Sequence, residues 1–127
     1  PFLSGLECSV DMLCIHGQVH GAIARYKQKN GCQNLTFEDP AIELAYQVAA
    51  LFGCDGLVNM QARYNDQQQL YILEVNSRPS GGIAHTFMSG VNLVHLAIAH
   101  TLQLHYQPKK TEGSLIVRSI SQSICVI

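Results

Sequence analysis

"GLVNMQARYNDQQQLYILEVNSR", residues 56–78, sets two alternating runs on either side of a polar turn. Side chains on a strand alternate faces, so Asn59, Gln61 and Arg63 share one face of the first run. Glu74, Asn76 and Arg78 share one face of the second. A two-residue turn at Gln67 and Gln68 would put Gln61 opposite Glu74 and Asn59 opposite Asn76. Directly opposed residues have Cβ atoms roughly 5 Å apart. An even loop keeps the two polar rows together, and an odd loop without a bulge separates them. The other face then carries Val58, Met60 and Ala62 against Leu73 and Val75, which suits a core. The predicted hairpin has one oily face and one face of oxygen donors plus a cation.

That polar face has two readings. Mg²⁺ takes oxygen ligands in octahedral geometry, through one or two carboxylates and substrate phosphates. Glu74 can supply a carboxylate, Gln61 and Asn76 amide oxygens, and Arg78 a forked contact to a phosphoryl group. A solvated outer face shows the same alternation in any antiparallel sheet. Spacing alone favours the solvated face.

Outward from the hairpin, residues 6–15 and 18–28 are β-rich runs joined by a tight turn at "HGQ". "FEDPAIELAYQVAALFGCDG" reads as a helix, capped by Asp39, with Pro40 in its first turn and Gly53 ending it. Apolar residues at 41, 44, 45, 48 and 52 form its expected stripe. "NLVHLAIAHTLQL" reads as a second helix, apolar almost all round and expected to be well buried. "PKKTEG" reads as a loop, and 114–127 as a last strand or pair of strands. The order ββαββαβ predicts an α+β fold, a mostly antiparallel sheet with two main helices.

Composition narrows the function. The 127 residues are 47% hydrophobic and 13% charged, enough apolar material for one packed domain. A formal net charge of −1 gives no electrostatic footprint for nucleic acid or an anionic membrane. No apolar run suits a bilayer span and no signal-peptide pattern occurs. Cys8, Cys14, Cys32, Cys54 and Cys125 are an odd set without CxxC spacing. They argue for reduced thiols in a cytoplasmic protein rather than a disulfide framework or zinc site. Cys8 and Cys14 are expected in the core. His95, His100 and His105 are five apart, which on a helix does not align them on one face, so ordinary surface or core histidines are expected. Asp11 shares a strand face with Glu7, and a solvated position is expected for it. "RPSGGIAHT" reads either as a turn or as a helix start whose N–H groups face an anion. The apolar start and end predict an excerpt of a longer protein.

"NMQARYNDQQQLYILEVNSRPSGG" resembles the signature hairpin of the ATP-grasp superfamily, where a strand bearing Glu or Gln precedes a strand reading Glu-x-Asn-x-Arg. Gln61, Glu74, Asn76 and Arg78 match that pattern. "PFLSGLECSVDMLC" resembles the family's earlier strand with its Gly-x-Glu before an apolar run. The resemblance covers nearly the whole chain as the C-terminal half of the fold, one domain over 1–127, nearest the branch of carbamoyl phosphate synthase and biotin carboxylase. It implies an ATP- and Mg²⁺- (or Mn²⁺-) binding portion of a ligase that activates a carboxylate as an acylphosphate and passes it to an amine or thiol. By the same resemblance Glu74 bridges two metal ions, with Gln61 and Asn76 completing their shells. Arg78 stabilises the phosphoryl charge, Glu7 meets the nucleotide sugar, Arg25 reaches toward the phosphates, and Leu73 packs near the adenine. The implied partners are ATP and small carboxylate and nucleophile substrates, with no nucleic acid or membrane. The family's Gly-rich flap and nucleotide-binding lysine have no counterpart in these residues. The 127-residue chain alone is therefore expected to be inactive, and a non-catalytic nucleotide-binding module is the alternative. Its polar face is expected to lie open, or to be covered by a second copy in a homo-oligomer.

Overall fold

A computed structural model of the chain describes residues 3–29, 32–107 and 115–118. Its elements run β1 (Glu7–Ile15), β2 (Gln18–Lys27), β3 (Cys32–Thr36), α1 (Pro40–Phe52), β4 (Gly56–Tyr64), β5 (Leu70–Asn76), α2 (Ala84–Phe87), α3 (Leu93–Thr101) and β6 (Leu115–Arg118). The fold is α+β. Six strands form one sheet in the order β5-β4-β1-β2-β3-β6, every neighbouring pair antiparallel. β3 and α2 are additions to the predicted order. The loop expected over 108–113 and everything past 118 lie outside the described residues.

Local chemistry sets the element ends. His16 and Gly17 both take positive φ, 49° and 80°, between paired Ile15 and Gln18. This is the two-residue turn whose twist matches antiparallel strands. Asp39 caps α1 by accepting from the Ala41 N–H at 2.8 Å, and its carboxylate also accepts from the Tyr26 hydroxyl at 2.8 and 2.9 Å. Gly53 closes α1 in the left-handed region at φ 58°, where a Cβ would be strained. Asn92 caps α3, accepting from the His95 N–H.

The two long crossovers cover opposite faces of the sheet. α1 lies on the face made by Cys8, Val10, Met12, Cys14, Ala24, Val58, Met60 and Ala62, burying Ala41, Ile42, Ala45, Val48 and Ala49 against them. Full burial of Ile42 or Val48 is worth about 1.5–3 kcal/mol each. The stripe differs from the expected one, since Ile42 and Ala49 point in while Phe52 is 71% exposed. On the second face α3 joins Leu93 and Val91 to Leu13, Ile23 and Leu35. Gly21 permits this contact: a Cβ there would lie 3.1 Å from Leu93 and 3.2 Å from Leu96. α3 is not buried all round, because only one side meets the sheet, leaving Val94 and Ile98 exposed.

α3 covers only part of the second face. The part beyond α3 carries Ser9, Asp11, Arg25, Asn59 and Gln61, aligned across β1, β2 and β4 by register: Ser9 pairs with Arg25 and Gln61, Asp11 with Asn59.

Candidate functional site

The hairpin of β4 and β5 opposes Gln61 to Glu74 and Asn59 to Asn76, as the sequence predicts. The turn does not follow the prediction. Tyr64 pairs with Leu70, leaving a five-residue loop instead of two residues. The Asn65 side chain organises it, its Oδ1 accepting from the Gln67 and Gln69 N–H groups at 2.9 and 2.8 Å. An odd loop would put Gln61 and Glu74 on opposite faces. A register shift next to Gln61, where Leu73 is the extra residue on β5, restores them to one face. The bulge reconciles the loop with the polar row.

β5 is an edge strand and its apolar residues are not buried as expected. Leu73 is 45% and Val75 38% exposed, because nothing among the described residues covers that part of the sheet. Glu74 is exposed, and its Oε1 accepts from Asn76 Nδ2 at 2.8 Å. Arg78 lies beyond the end of β5, where strand alternation no longer places it. It is exposed, and its Nη1 donates to the Pro79 carbonyl at 3.2 Å.

Asp11 overturns the expectation of a solvated acid. It is 1% exposed and accepts from Arg25 Nε at 2.6 Å. Its second oxygen accepts from Asn59 Nδ2 at 3.0 Å. Two charges out of water persist only when paired and hydrogen-bonded, and this pair is both. Arg25 Nη2 donates onward to Ser9 Oγ at 3.2 Å and Ser80 Oγ at 2.9 Å. The "PSGG" loop thus rests on Arg25. A Cβ on Gly82 would fall 2.3 Å from Arg25 Nη1, so a side chain there would have to displace the guanidinium.

A cleft of about 630 Å³ opens here, lined by Glu7, Ser9, Arg25, Gln61, Ser80 and both loop glycines. Lys27 and Lys29 stand at the same cleft. Glu7 is exposed and ion-paired with Arg63. Of the residues singled out from sequence, Glu7, Arg25 and Gln61 line the cleft, and Glu74 stands directly across from Gln61. Leu73, Glu74, Asn76 and Arg78 are not among its lining residues. Asp11, Asn59, Ser9 and Ser80 were missed as members of the network. Asp11 and Asn59 both sit on alternating strand faces, so only the pairing of β1 with β4 could have joined them.

The other candidates are structural. Cys8 and Cys14 are buried, and burial pushes their thiols up to about 12 and about 11. His95 stacks on Tyr106 with ring centroids 4.3 Å apart, and His20 lies 5.9 Å from His100. Among the described residues, no three His, Cys, Asp or Glu side chains gather as a metal cluster. No helix among them is long and apolar enough to cross a membrane.

Comparison with known proteins follows the same lines. A family model described as ATP-grasp in the biosynthetic pathway with Ter operon matches residues 1–123. A carbamoyl-phosphate synthase of Methanobrevibacter smithii is 30% identical over 96 residues, 63% of this chain and 26% of that protein. The crystal structure of biotin carboxylase from Campylobacter jejuni, a β,γ-ATP complex by its description, superposes with a TM-score of 0.64 at 16% identity, covering 91% of this chain and 30% of that one. An L-amino acid ligase from Bacillus licheniformis superposes with a TM-score of 0.60 at 23% identity, covering 86% of this chain and 31% of the ligase. The chain spans about a quarter to a third of these proteins. At such identities the superpositions show a shared fold.

Proposed function

The chain belongs to the ATP-grasp family, and from that premise we propose that it forms the ATP- and Mg²⁺-binding portion of a longer ligase joining a carboxylate to an amine or thiol. The observation that carries this reading is the direct opposition of Gln61 and Glu74, with Asn59 and Asn76 beside them, at the edge of an open cleft.

The donor set fits the metal. Glu74 offers one exposed carboxylate, and Gln61 and Asn76 add amide oxygens. Mg²⁺ is commonly held by one or two carboxylates with substrate phosphates supplying the rest. Asn76 spends its Nδ2 on Glu74, which orients the carboxylate and leaves its own Oδ1 for coordination. The metal, or Mn²⁺ in its place, supplies charge neutralisation on the phosphate oxygens.

In this reading Arg25, held by Asp11 and lining the cleft beside Ser80, contributes positive charge toward the nucleotide phosphates. Arg78 approaches the transferring phosphoryl group, where a planar fork matches its oxygens. Glu7 meets the sugar with the oxygen that Arg63 does not occupy, and exposed Leu73 gives the base an apolar surface. A carboxylate oxygen of the substrate attacks the γ-phosphorus, ADP leaves, and an acylphosphate forms. The acceptor amine or thiol then attacks the carbonyl carbon, and phosphate departs with the C–O bonding pair.

The test is ATP-dependent phosphate release by the longer protein at saturating Mg²⁺. Glu74→Gln should lower kcat far more than Gln61→Ala, because a formal charge facing cations is the harder loss. Arg78→Lys should also lower kcat, with circular dichroism unchanged in all three. Near-wild-type turnover by Glu74→Gln would sink the metal-holding role.

A further inference from the structure

We propose that Ser80, seated on the buried Asp11–Arg25 pair, is a positioning residue that latches the loop of residues 77–82 onto the sheet and so sets one wall of the cleft. The inference rests on the reading above only in giving that wall a ligand to face.

One side of the latch is rigid. Asp11, Ser9, Arg25 and Asn59 stand on three adjacent strands, and Asn59 Nδ2 reaches both Ser9 Oγ at 2.9 Å and Asp11 Oδ1 at 3.0 Å. The carboxylate holds the guanidinium through Nε, and Arg25 is 7% exposed. The other side comes from the loop. Ser80 Oγ accepts from Nη2, and the backbone at Gly82 lies so close to the guanidinium that a side chain there would have to displace it. The loop then turns into α2, with the Ile83 N–H donating to the Ser80 carbonyl at 3.2 Å and the His85 N–H to the Gly82 carbonyl at 3.0 Å. Arg78, two residues before Ser80, has only the neighbouring Pro79 carbonyl as acceptor among the described residues. Its position relative to Glu74 therefore depends on where the loop is held. Asp11 acts at one remove, by fixing the arginine on which the loop rests.

The experiment compares Ser80→Ala, Ser80→Thr and Gly82→Ala in the full protein carrying this chain. Hydrogen–deuterium exchange is read over residues 79–88 and, as reference, over α1. Ser80→Ala should raise exchange over 79–88 by about tenfold, the equivalent of one hydrogen bond to a charged group. Gly82→Ala, which forces a Cβ onto the guanidinium, should act in the same direction. Ser80→Thr keeps the hydroxyl and should restore the wild-type rate, and α1 should not change in any variant. In turnover, Ser80→Ala should lower kcat severalfold while KM for ATP moves less than about twofold, the pattern of an interaction lost in the transition state. Unchanged exchange over 79–88, or an equal rise over α1, overturns the latch. So does raised exchange with wild-type kinetics. If the exchange pattern holds while the wild-type protein turns over no ATP, the latch stands and the ligase reading fails.

Discussion

At the scale of single residues, Asp11 joins Arg25 and Asn59 across the polar part of the second sheet face. It is one of two partners in a buried ion pair, with side-chain exposures of 2% for Asp11 and 7% for Arg25. Such a pair contributes little over an apolar substitute, but removing one partner strands the other charge. Asp11→Ala should therefore destabilise the fold by about 3–5 kcal/mol, and Asp11→Ala with Arg25→Leu by less than that. Urea unfolding of the two variants checks this. A double variant no more stable than the single one would mean that the stranded guanidinium is not the source of the loss.

At the scale of elements, the β4–β5 hairpin shows how an error in one place can be repaired in another. The five-residue loop has the wrong parity for a shared polar face, and the bulge at Leu73 reverses it. The loop depends on Asn65, whose buried amide accepts from two backbone N–H groups and donates to Gln69 Oε1 at 2.9 Å. Asn65→Ala leaves those N–H groups without their acceptor and should cost about 1–3 kcal/mol. Asn65→Asp keeps the acceptor and should cost less. Thermal unfolding ranks the two, and equal losses would show that the amide donor, not the acceptor, organises the turn. β3 makes a related point. "CQNLT" buries only Leu35 and has little strand character of its own, yet it forms between β2 and β6. Its pairing comes from neighbours distant in sequence.

For the whole molecule, the α1 face sets the response to alkaline pH. Burial raises the Cys8 thiol from 9.0 to about 12 and the Cys14 thiol from 9.0 to about 11. Burial also raises the Tyr26 hydroxyl, and the hydrogen bond it donates to the Asp39 carboxylate adds to the shift. All three are acids held neutral in the fold. Their contribution is fully present below the unfolded thiol value near 9.0 and is lost as pH rises through the folded values. The urea midpoint should stay level from about pH 7 to 8.5 and fall above about 9. Cys8→Ala should flatten part of that fall. A midpoint level to about pH 11 would show that the thiols ionise without opening the core.

By itself the sequence determined what depends on local chemistry and period. Those features are the Asp39 cap and Gly53 stop of α1, the His16–Gly17 turn, the antiparallel α+β pattern, and the hairpin row carrying Gln61, Glu74 and Asn76. The cap, the stop and the turn are each written in residues within a few positions of one another, and the hairpin row in two strands adjacent in sequence. Tertiary structure alone decided the pairing of Asp11 with Arg25 and Asn59, the seating of Ser80 and Gly82 on that arginine, and the exposure of α3 and β5. Ser80 meets Arg25 across 55 positions of chain, and Asn59 meets Asp11 across 48. A strand's alternation says which residues share a face. It does not say which strand will lie alongside, or whether a distant loop will close over that face, and here those two facts separate a buried ion pair from a solvated acid.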